Sequence, residues 1–357
     1  MKIRSIEVSK ENMALSRPYQ IAYKMVESVE CLILKLHLEN GMVGWGASNI
    51  SAYVVGQNNE DTYAAYQNGA LDFLAHQDIR QFGKLMQETE VQLSKFVGLR
   101  VMCDIALYDA FTQYLQIPLV DYWGAKHKSM ATSVTIGIMG LDQTLEEARE
   151  FIGAGFRILK VKLGAGIKED VERLVALRKT FGQKIMIRVD ANQGWSLSET
   201  IQFFETTKEL NIELVEQPVK ANEIFSLLEI PEHFRDKIAA DESLKDSSDA
   251  RDLSVHNRPA GIFNIKLMKC GGITEALKIA KYAQSSSIDL MWGCNDESII
   301  SITAALHAAF ACPNTRFIDL DGSFDLAKDV VTGGFELKNG VMSLTQSAGL
   351  GVKPLLI

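Results

Sequence analysis

Three carboxylates recur at nearly even intervals: Asp190 in Arg188-Val189-Asp190-Ala191-Asn192, Glu216 in Leu214-Val215-Glu216-Gln217-Pro218, and Asp241 in Ala239-Ala240-Asp241-Glu242-Ser243. The intervals are 26 and 25 residues, and each carboxylate closes a short aliphatic run that reads as a β-strand. Taken singly, each is most simply a helix N-cap or a loop charge. Three in register converge, and converging carboxylates repel unless a cation lies among them. An all-oxygen set without Cys or His suits a hard ion, and Mg²⁺ keeps open positions for water or substrate. Lysines bracket the set. Lys160 and Lys162 alternate onto one face of a strand at 157–163, and Lys266 ends another at 262–268. Alone, the first pair would read as solvated lysines on an edge strand. Beside three carboxylates in register, they aim at the same place. A desolvated lysine near other cations has a lowered pKa and acts as a base. Two such lysines facing each other, Lys162 and Lys266, could take a proton from one side of a carbon and return it on the other.

These side chains need elements that bring strand ends together. From Ser133 the chain repeats strand then helix, with strands at about 133–138, 157–163, 185–191, 212–217, 238–242, 262–268, 288–293 and 316–320. Helices fill the gaps, for example 141–154 and 196–211. Eight such units predict a β/α barrel, whose active site lies at the C-terminal strand ends. The last strand has no full helix after it, and the tail turns strand-like again. Residues 1 to about 125 read as a separate α+β unit. It has strands at 2–8 and 30–38, an Asn-Gly turn at Asn40-Gly41, a return strand at 43–47, and helices at about 60–75, 78–95 and 100–115. The stretches 17–24 and 48–56 read as irregular loops. The expected division is a capping domain of 1–125, a barrel of 126–324, and a tail of 325–357 packing back on the cap.

Composition narrows the partners. The net charge is −8 with no basic block, which argues against nucleic acid. No apolar run is long enough for a membrane span, and the N-terminus enters strand-like alternation without a signal-peptide core. Five scattered cysteines with no CxxC pair read as reduced thiols in a cytoplasmic protein, and the six histidines do not cluster as a zinc site would.

The set Lys160-Val161-Lys162, Asp190-Ala191-Asn192, Glu216-Gln217-Pro218, Asp241-Glu242-Ser243 and Lys266-Leu267-Met268-Lys269 resembles the enolase superfamily, in its muconate-lactonizing-enzyme subgroup. The resemblance covers essentially the whole chain. It implies an α/β fold, with an α+β capping domain on a modified (β/α)7β TIM-type barrel. It implies Mg²⁺ on Asp190, Glu216 and Asp241, an acid/base pair of Lys162 and Lys266, and Lys160 supporting Lys162 and an enolate. Asp319-Leu320-Asp321 resembles the Asp-x-Asp of dipeptide epimerases, where it binds the substrate ammonium group. Cys294, Asn295 and Asp296 at the end of strand seven, and Thr135 on strand one, are expected to reach the substrate. Lys24 stands where Ala-Glu epimerases carry an arginine for the glutamate side chain. Ala47 departs from the glutamate that many relatives have. The implied activity is inversion of the C-terminal residue of a dipeptide, of the Ala-Glu or Ala-Ala type, through an enediolate. The alternatives are o-succinylbenzoate synthase or N-succinylamino-acid racemase, and a non-catalytic barrel binding metal and a small acid. Relatives are often oligomers, so a homo-oligomer stays open.

Overall fold

The computed structural model describes residues 1–21, 24–164, 166–254 and 257–355, with backbone alone for 18–21 and 24–26. The chain opens with two long antiparallel strands, β1 (Ile3–Ile21) and β2 (Lys24–Leu38), and β3 (Val43–Ser48) completes the sheet. Of the stretch 17–24, expected as an irregular loop, the described residues continue the β1–β2 ladder: Tyr19 pairs with Val26, Gln20 with Met25 and Ile21 with Lys24. A backbone ladder forms whatever the side chains on it are. Its polar and aromatic composition therefore hid it. A register shift between Ala14 and Tyr19 separates this part from the core of the ladder.

Four helices follow: α1 (Ala52–Val55), α2 (Asn59–Gln67), α3 (Phe82–Gln92) and α4 (Val97–Leu115). α1 is a single turn within the expected 48–56 loop. α2 starts at a capping box of Asn58 and Asp61 and ends earlier than expected, at a turn where Gly69 has a φ of 81°. α4 is buried on nearly every side and lies against β3. The fit is backbone to backbone: a Cβ on Gly46 would stand 2.0 Å from the Met102 carbonyl oxygen, and one on Gly44 2.4 Å from that of Ala106.

After a short β4 (Ser129–Ala131), eight parallel strands run in sequence order: β5 (Val134–Ile136), β6 (Ile158–Lys162), β7 (Met186–Asp190), β8 (Ile212–Glu216), β9 (Ile238–Ala240), β10 (Ile262–Ile265), β11 (Asp289–Trp292) and β12 (Thr315–Ile318). Thr132 bridges to Ile318, and the Ser133 amide donates to the Ile318 carbonyl at 3.3 Å, so the last strand meets the first. Helices pack outside, among them Leu141–Gly153, Leu197–Thr206 behind a Ser196/Glu199 capping box, Ile273–Ser285 and Ile299–Ala311. Between β8 and β9 a 3₁₀ stretch, Ala221–Glu229, takes the place of a full helix. Leu214, Ala239, Ile262 and Met291, packed with Phe317, form a small apolar cluster on four of the barrel strands and β12.

The tail adds β13 (Val331–Gly333), β14 (Phe335–Lys338), β15 (Val341–Leu344) and β16 (Val352–Pro354). β15 pairs with β4 and β13 with β16. The tail also touches the N-terminal region. The Ser16 amide donates to Asp325 O at 2.7 Å, that of Ala327 to Ala14 O at 2.8 Å, and that of Leu350 to Asp109 Oδ1 at 2.8 Å. Among the described residues no helix is long and apolar enough to cross a membrane, and all five cysteines are free thiols.

Candidate active site

Parallel pairing sets the first layer of the site. Lys162 is the register partner of Asp190, and Asp190 that of Glu216, so the three stand side by side at the strand ends. Asp241 lies one residue beyond the end of β9. Thr135, Lys160 and Arg188 occupy the layer below, again as register partners.

Ammonium groups hold the carboxylates apart. Lys160 Nζ lies 3.2 Å from Asp190 Oδ2, 2.8 Å from Glu216 Oε2 and 2.8 Å from Asp319 Oδ2. Lys266 Nζ donates to Asp241 Oδ2 at 2.7 Å and stands 3.8 Å from Glu216 Oε1. Lys269 pairs with Asp241 Oδ1 and donates to the Asp241 carbonyl at 2.6 Å. Asn264 Nδ2 donates to Glu216 Oε1 at 2.8 Å. As these side chains stand, no three His, Cys, Asp or Glu among the described residues form a ready metal cage. The residues nevertheless suit a hard cation. All donors are oxygens, and Glu216 Oε2 is buried with no hydrogen bond, since its approach to Lys160 is an ion pair at an angle that makes none.

The electrostatics follow from burial and these pairs. Burial, then Asp190, pushes the Glu216 carboxyl up to about 8. At Asp241 burial opposes ionisation, but Lys266 and Lys269 outweigh it and hold the carboxyl well below the usual range. The lowered pKa expected of both lysines is not found at Lys266. Burial works in that direction, yet Asp241 and Glu216 overcome it and hold the ammonium charged. Lys160 is likewise raised, its burial outweighed by Asp319, Glu216 and Asp190. Lys162 differs in its surroundings: among the described residues it has no carboxylate within ion-pair distance.

Above this layer lies a cavity of about 160 Å³, lined by Lys162, Lys266, Asp241, Asn192, Glu242 and Asn295 from the barrel and by Ser51, Val54 and Val55 from the region of α1. The single turn of α1 thus covers the strand ends. A second group of expected residues gathers at the junction of β12 and β5. Asp319 Oδ1 accepts from Ser133 Oγ at 2.6 Å, and Oδ2 from Lys160. Asp321 Oδ2 accepts from the Thr135 amide at 2.8 Å. Burial, then the Asp319 charge, pushes Asp321 up to about 7. Cys294 Sγ donates to Asp319 O at 3.3 Å and lies 3.8 Å from Asp321 Oδ1. Strand β12 ends at Ile318, so both aspartates lie just past it and not within it. Asn295 Nδ2 donates to Asn49 O, and Asn49 Nδ2 donates to Asp296 O at 2.7 Å, which ties the end of β11 to the N-terminal sheet. The Lys24 side chain lies outside the described residues. Ala47 is buried on β3 opposite Ile33.

Residues that the motifs did not assign complete the site. Arg188, 2% exposed, donates to Ser133 Oγ at 3.0 Å and to Ile318 O at 2.6 Å, and also reaches Glu213. The Gln217 side chain accepts from the amides of Asp241 and Ser243. Arg188 was findable by alternation, two residues before Asp190 on the same face; nothing local marks Asn264 or Lys269 as partners of Glu216 and Asp241.

Residues 143–355 match the family described as enolase C-terminal domain-like, and residues 3–124 match the mandelate racemase / muconate lactonizing enzyme N-terminal domain. The chain belongs to the enolase superfamily. Within it, the L-Lys-D/L-Arg epimerase of Desulforapulum autotrophicum is 46% identical over 353 residues, covering 99% of each chain. The dipeptide epimerase of Methylococcus capsulatus, solved with Mg and the dipeptide L-Arg-D-Lys, is 45% identical with a TM-score of 0.96 over 99% of both chains. The substrate-liganded L-Ala-D/L-Glu epimerase of Bacillus subtilis is 29% identical, with a TM-score of 0.93 over 100% of both. The chain is therefore an isomerase of the dipeptide-epimerase family, a family whose cofactor is Mg²⁺.

Proposed function

We propose that this protein inverts the α-carbon of the C-terminal residue of a dipeptide by moving one proton between two lysines, and that cationic dipeptides are its preferred substrates. The observation that carries the reaction is that Lys162 and Lys266 line one cavity from β6 and the end of β10, with three strands of carboxylate-bearing sheet between them.

In this reading Asp190, Glu216 and Asp241 hold Mg²⁺, with Lys266 and Lys269 giving up part of their hold on Asp241. The ion, when bound, supplies positive charge where the substrate carboxylate gains negative charge. Lys160, fixed by three carboxylates in the layer beneath Lys162, adds a second positive charge. Lys162 and Lys266 take and return the α-proton from opposite sides. Asp321, with Asp319 beside it, receives the free ammonium group of the dipeptide. Asn295 and Cys294 border the substrate.

The Ala-Glu or Ala-Ala preference gives way to a cationic one for two reasons. The relatives of 46% and 45% identity act on or hold Lys and Arg dipeptides, whereas the Ala-Glu epimerase stands at 29%. Four residues past Asp321 in the chain, Asp325 also stands among carboxylates. Asp325 is raised by burial, with Asp296 and Glu150 adding to the effect and Arg17 opposing it. An extra positive charge on the substrate relieves that repulsion. The division into a capping unit of 1–125 with its tail and a barrel of 126–324 is proposed on the separate sheets and on the tail's hydrogen bonds to residues 14–16 and 109. A cytoplasmic setting is proposed on the five free thiols.

The test is a panel of dipeptides incubated with enzyme and Mg²⁺ in D₂O and read by mass spectrometry and chiral analysis. Deuterium should enter the C-terminal α-carbon of Lys- and Arg-containing dipeptides fastest. Absence of exchange in every dipeptide, or faster exchange in N-succinyl amino acids, would overturn the reading.

A further inference from the structure

We propose that Arg100 and Asp104, two residues of the N-terminal helix α4, are positioning residues for Lys266. The inference rests on the two-lysine reading above.

Lys266 is the N-cap of a single helical turn, Leu267–Cys270, which ends in two consecutive glycines with φ of 91° and 115°. Amides of this turn fold back on its start: those of Lys269 and Cys270 donate to Lys266 O at 3.0 and 3.2 Å, and those of Gly271 and Gly272 to Leu267 O. The Lys266 backbone is therefore fixed by whatever fixes the far end of the turn. That end is held from outside the barrel. Arg100 Nη2 donates to Cys270 O at 2.8 Å. One turn further along α4, the Asp104 carboxylate accepts from the amides of Ile273 at 2.5 Å and Thr274 at 3.2 Å, the first residues of the helix Ile273–Ser285. Residues four apart on a helix share a face, so one face of α4 grips both sides of the glycine pair.

The seat is shaped for these two side chains. A Cβ on Gly271 would fall 2.1 Å from Arg100 Nε, and one on Gly272 2.6 Å from the Asp104 carboxyl carbon. Any other residue would displace the grip as well as strain a left-handed backbone. Asp104 is 2% exposed, and its carboxylate replaces the N-cap that Gly272 cannot provide. The same turn carries Lys269 to Asp241, so the grip fixes the partner of one proposed ligand as well as the base. Lys162, on β6, has no link to this turn.

That asymmetry makes the test. Positioning errors of about 1 Å cost about 10²-fold in rate. With Mg²⁺-loaded enzyme in D₂O, α-proton exchange is measured separately from each isomer of one dipeptide substrate. Lys266→Ala first identifies the isomer whose exchange depends on that lysine. Arg100→Ala and Asp104→Ala should lower exchange from this isomer about 10²-fold, through kcat with little change in KM, and lower exchange from the other isomer far less. Arg100→Lys, which keeps a donor for Cys270 O, should recover much of the loss. Mg²⁺ affinity by calorimetry and the thermal midpoint are followed in parallel. If either variant is poorly folded, Arg100→Lys still carries the comparison. Equal loss from both isomers, or no loss, overturns the proposal. If Lys266→Ala leaves exchange from both isomers intact, the two-lysine reading falls, and this inference with it.

Discussion

N-acetylation of a dipeptide substrate removes one charge and tests the proposed role of Asp321. Asp319 is already spent, with one oxygen on Lys160 and the other on Ser133. Asp321 has one oxygen on the Thr135 amide, and its other oxygen lies 3.8 Å from the Cys294 thiol. Asp321, half-buried and with its carboxyl pushed up to about 7, has no ion-pair partner among the described residues, and a substrate ammonium would hold it ionised. Breaking a buried ion pair by deleting one partner costs about 3–5 kcal/mol. The lower figure, about 3 kcal/mol, corresponds to about 10²-fold at 1.4 kcal/mol per decade. The expected outcome is a kcat/KM about 10²-fold lower for the N-acetylated dipeptide than for the free one. Asp321→Asn should shrink this ratio toward unity while retaining exchange of the α-proton, because the carboxamide keeps the Thr135 contact. The assay is kcat/KM for matched free and acetylated dipeptides on both enzymes. Equal values on the wild type would refute the assignment of the ammonium to this pair, and a preference for N-succinyl amino acids would move the protein to the racemase class.

Glu216→Gln should weaken Mg²⁺ binding by calorimetry and abolish turnover while the fold persists, and excess EDTA should silence the wild type; full activity in EDTA would remove the metal from the mechanism. Lys162→Ala and Lys266→Ala should each end epimerisation yet each leave exchange from one isomer, and either variant interconverting both isomers at the wild-type rate would exclude a two-base route. His307 is fully buried, accepts from the Val120 amide at 3.0 Å through Nδ1, and is pushed by burial down to about 3. A folded-state pKa below the unfolded value of about 6.5 means that its contribution is present above pH 6.5 and is lost as pH falls toward 3. His307→Gln, which can still accept from Val120, should therefore show a thermal midpoint that falls less between pH 6.5 and 4 than the wild type's; parallel curves would exclude this histidine as a cause of acid lability.

The barrel and its first layer were legible because the signal is periodic. Alternation put Lys160 and Lys162 on one face, and equal spacing put Asp190, Glu216 and Asp241 at equivalent strand ends. What the sequence hid depends on side chains far apart in the chain. Lys266 was expected to be a lowered-pKa base, but its nearest charge is Asp241, and no local pattern joins the two. Arg100 and Asp104 lie on a largely apolar helix, and their partners are backbone groups 170 and 169 residues away. The ladder at 19–21 and 24–26 was missed for another reason: its residues carry no hydrophobic alternation to read.

The junction of β12 with β5 has a bearing on how the molecule is made. Its two sides are 185 residues apart, and the seam is sewn by Ser133, Thr132 and the Arg188 guanidinium as much as by a ladder. A chain emerging from the ribosome folds from its N-terminal side. Residues 158–269, with both lysine groups and all three proposed ligands, can associate as neighbouring strands before the barrel closes. The proposed seat for the substrate ammonium cannot, because Asp319 and Asp321 follow all of these residues in the chain and meet Ser133 and Thr135 only at closure. The two proposed bases and the proposed ammonium seat thus come from different stretches of chain, joined at closure by the Lys160–Asp319 pair. On the proposed reading, a change at Asp321 can redirect the enzyme to another dipeptide, whereas one at Asp319 also loosens Lys160.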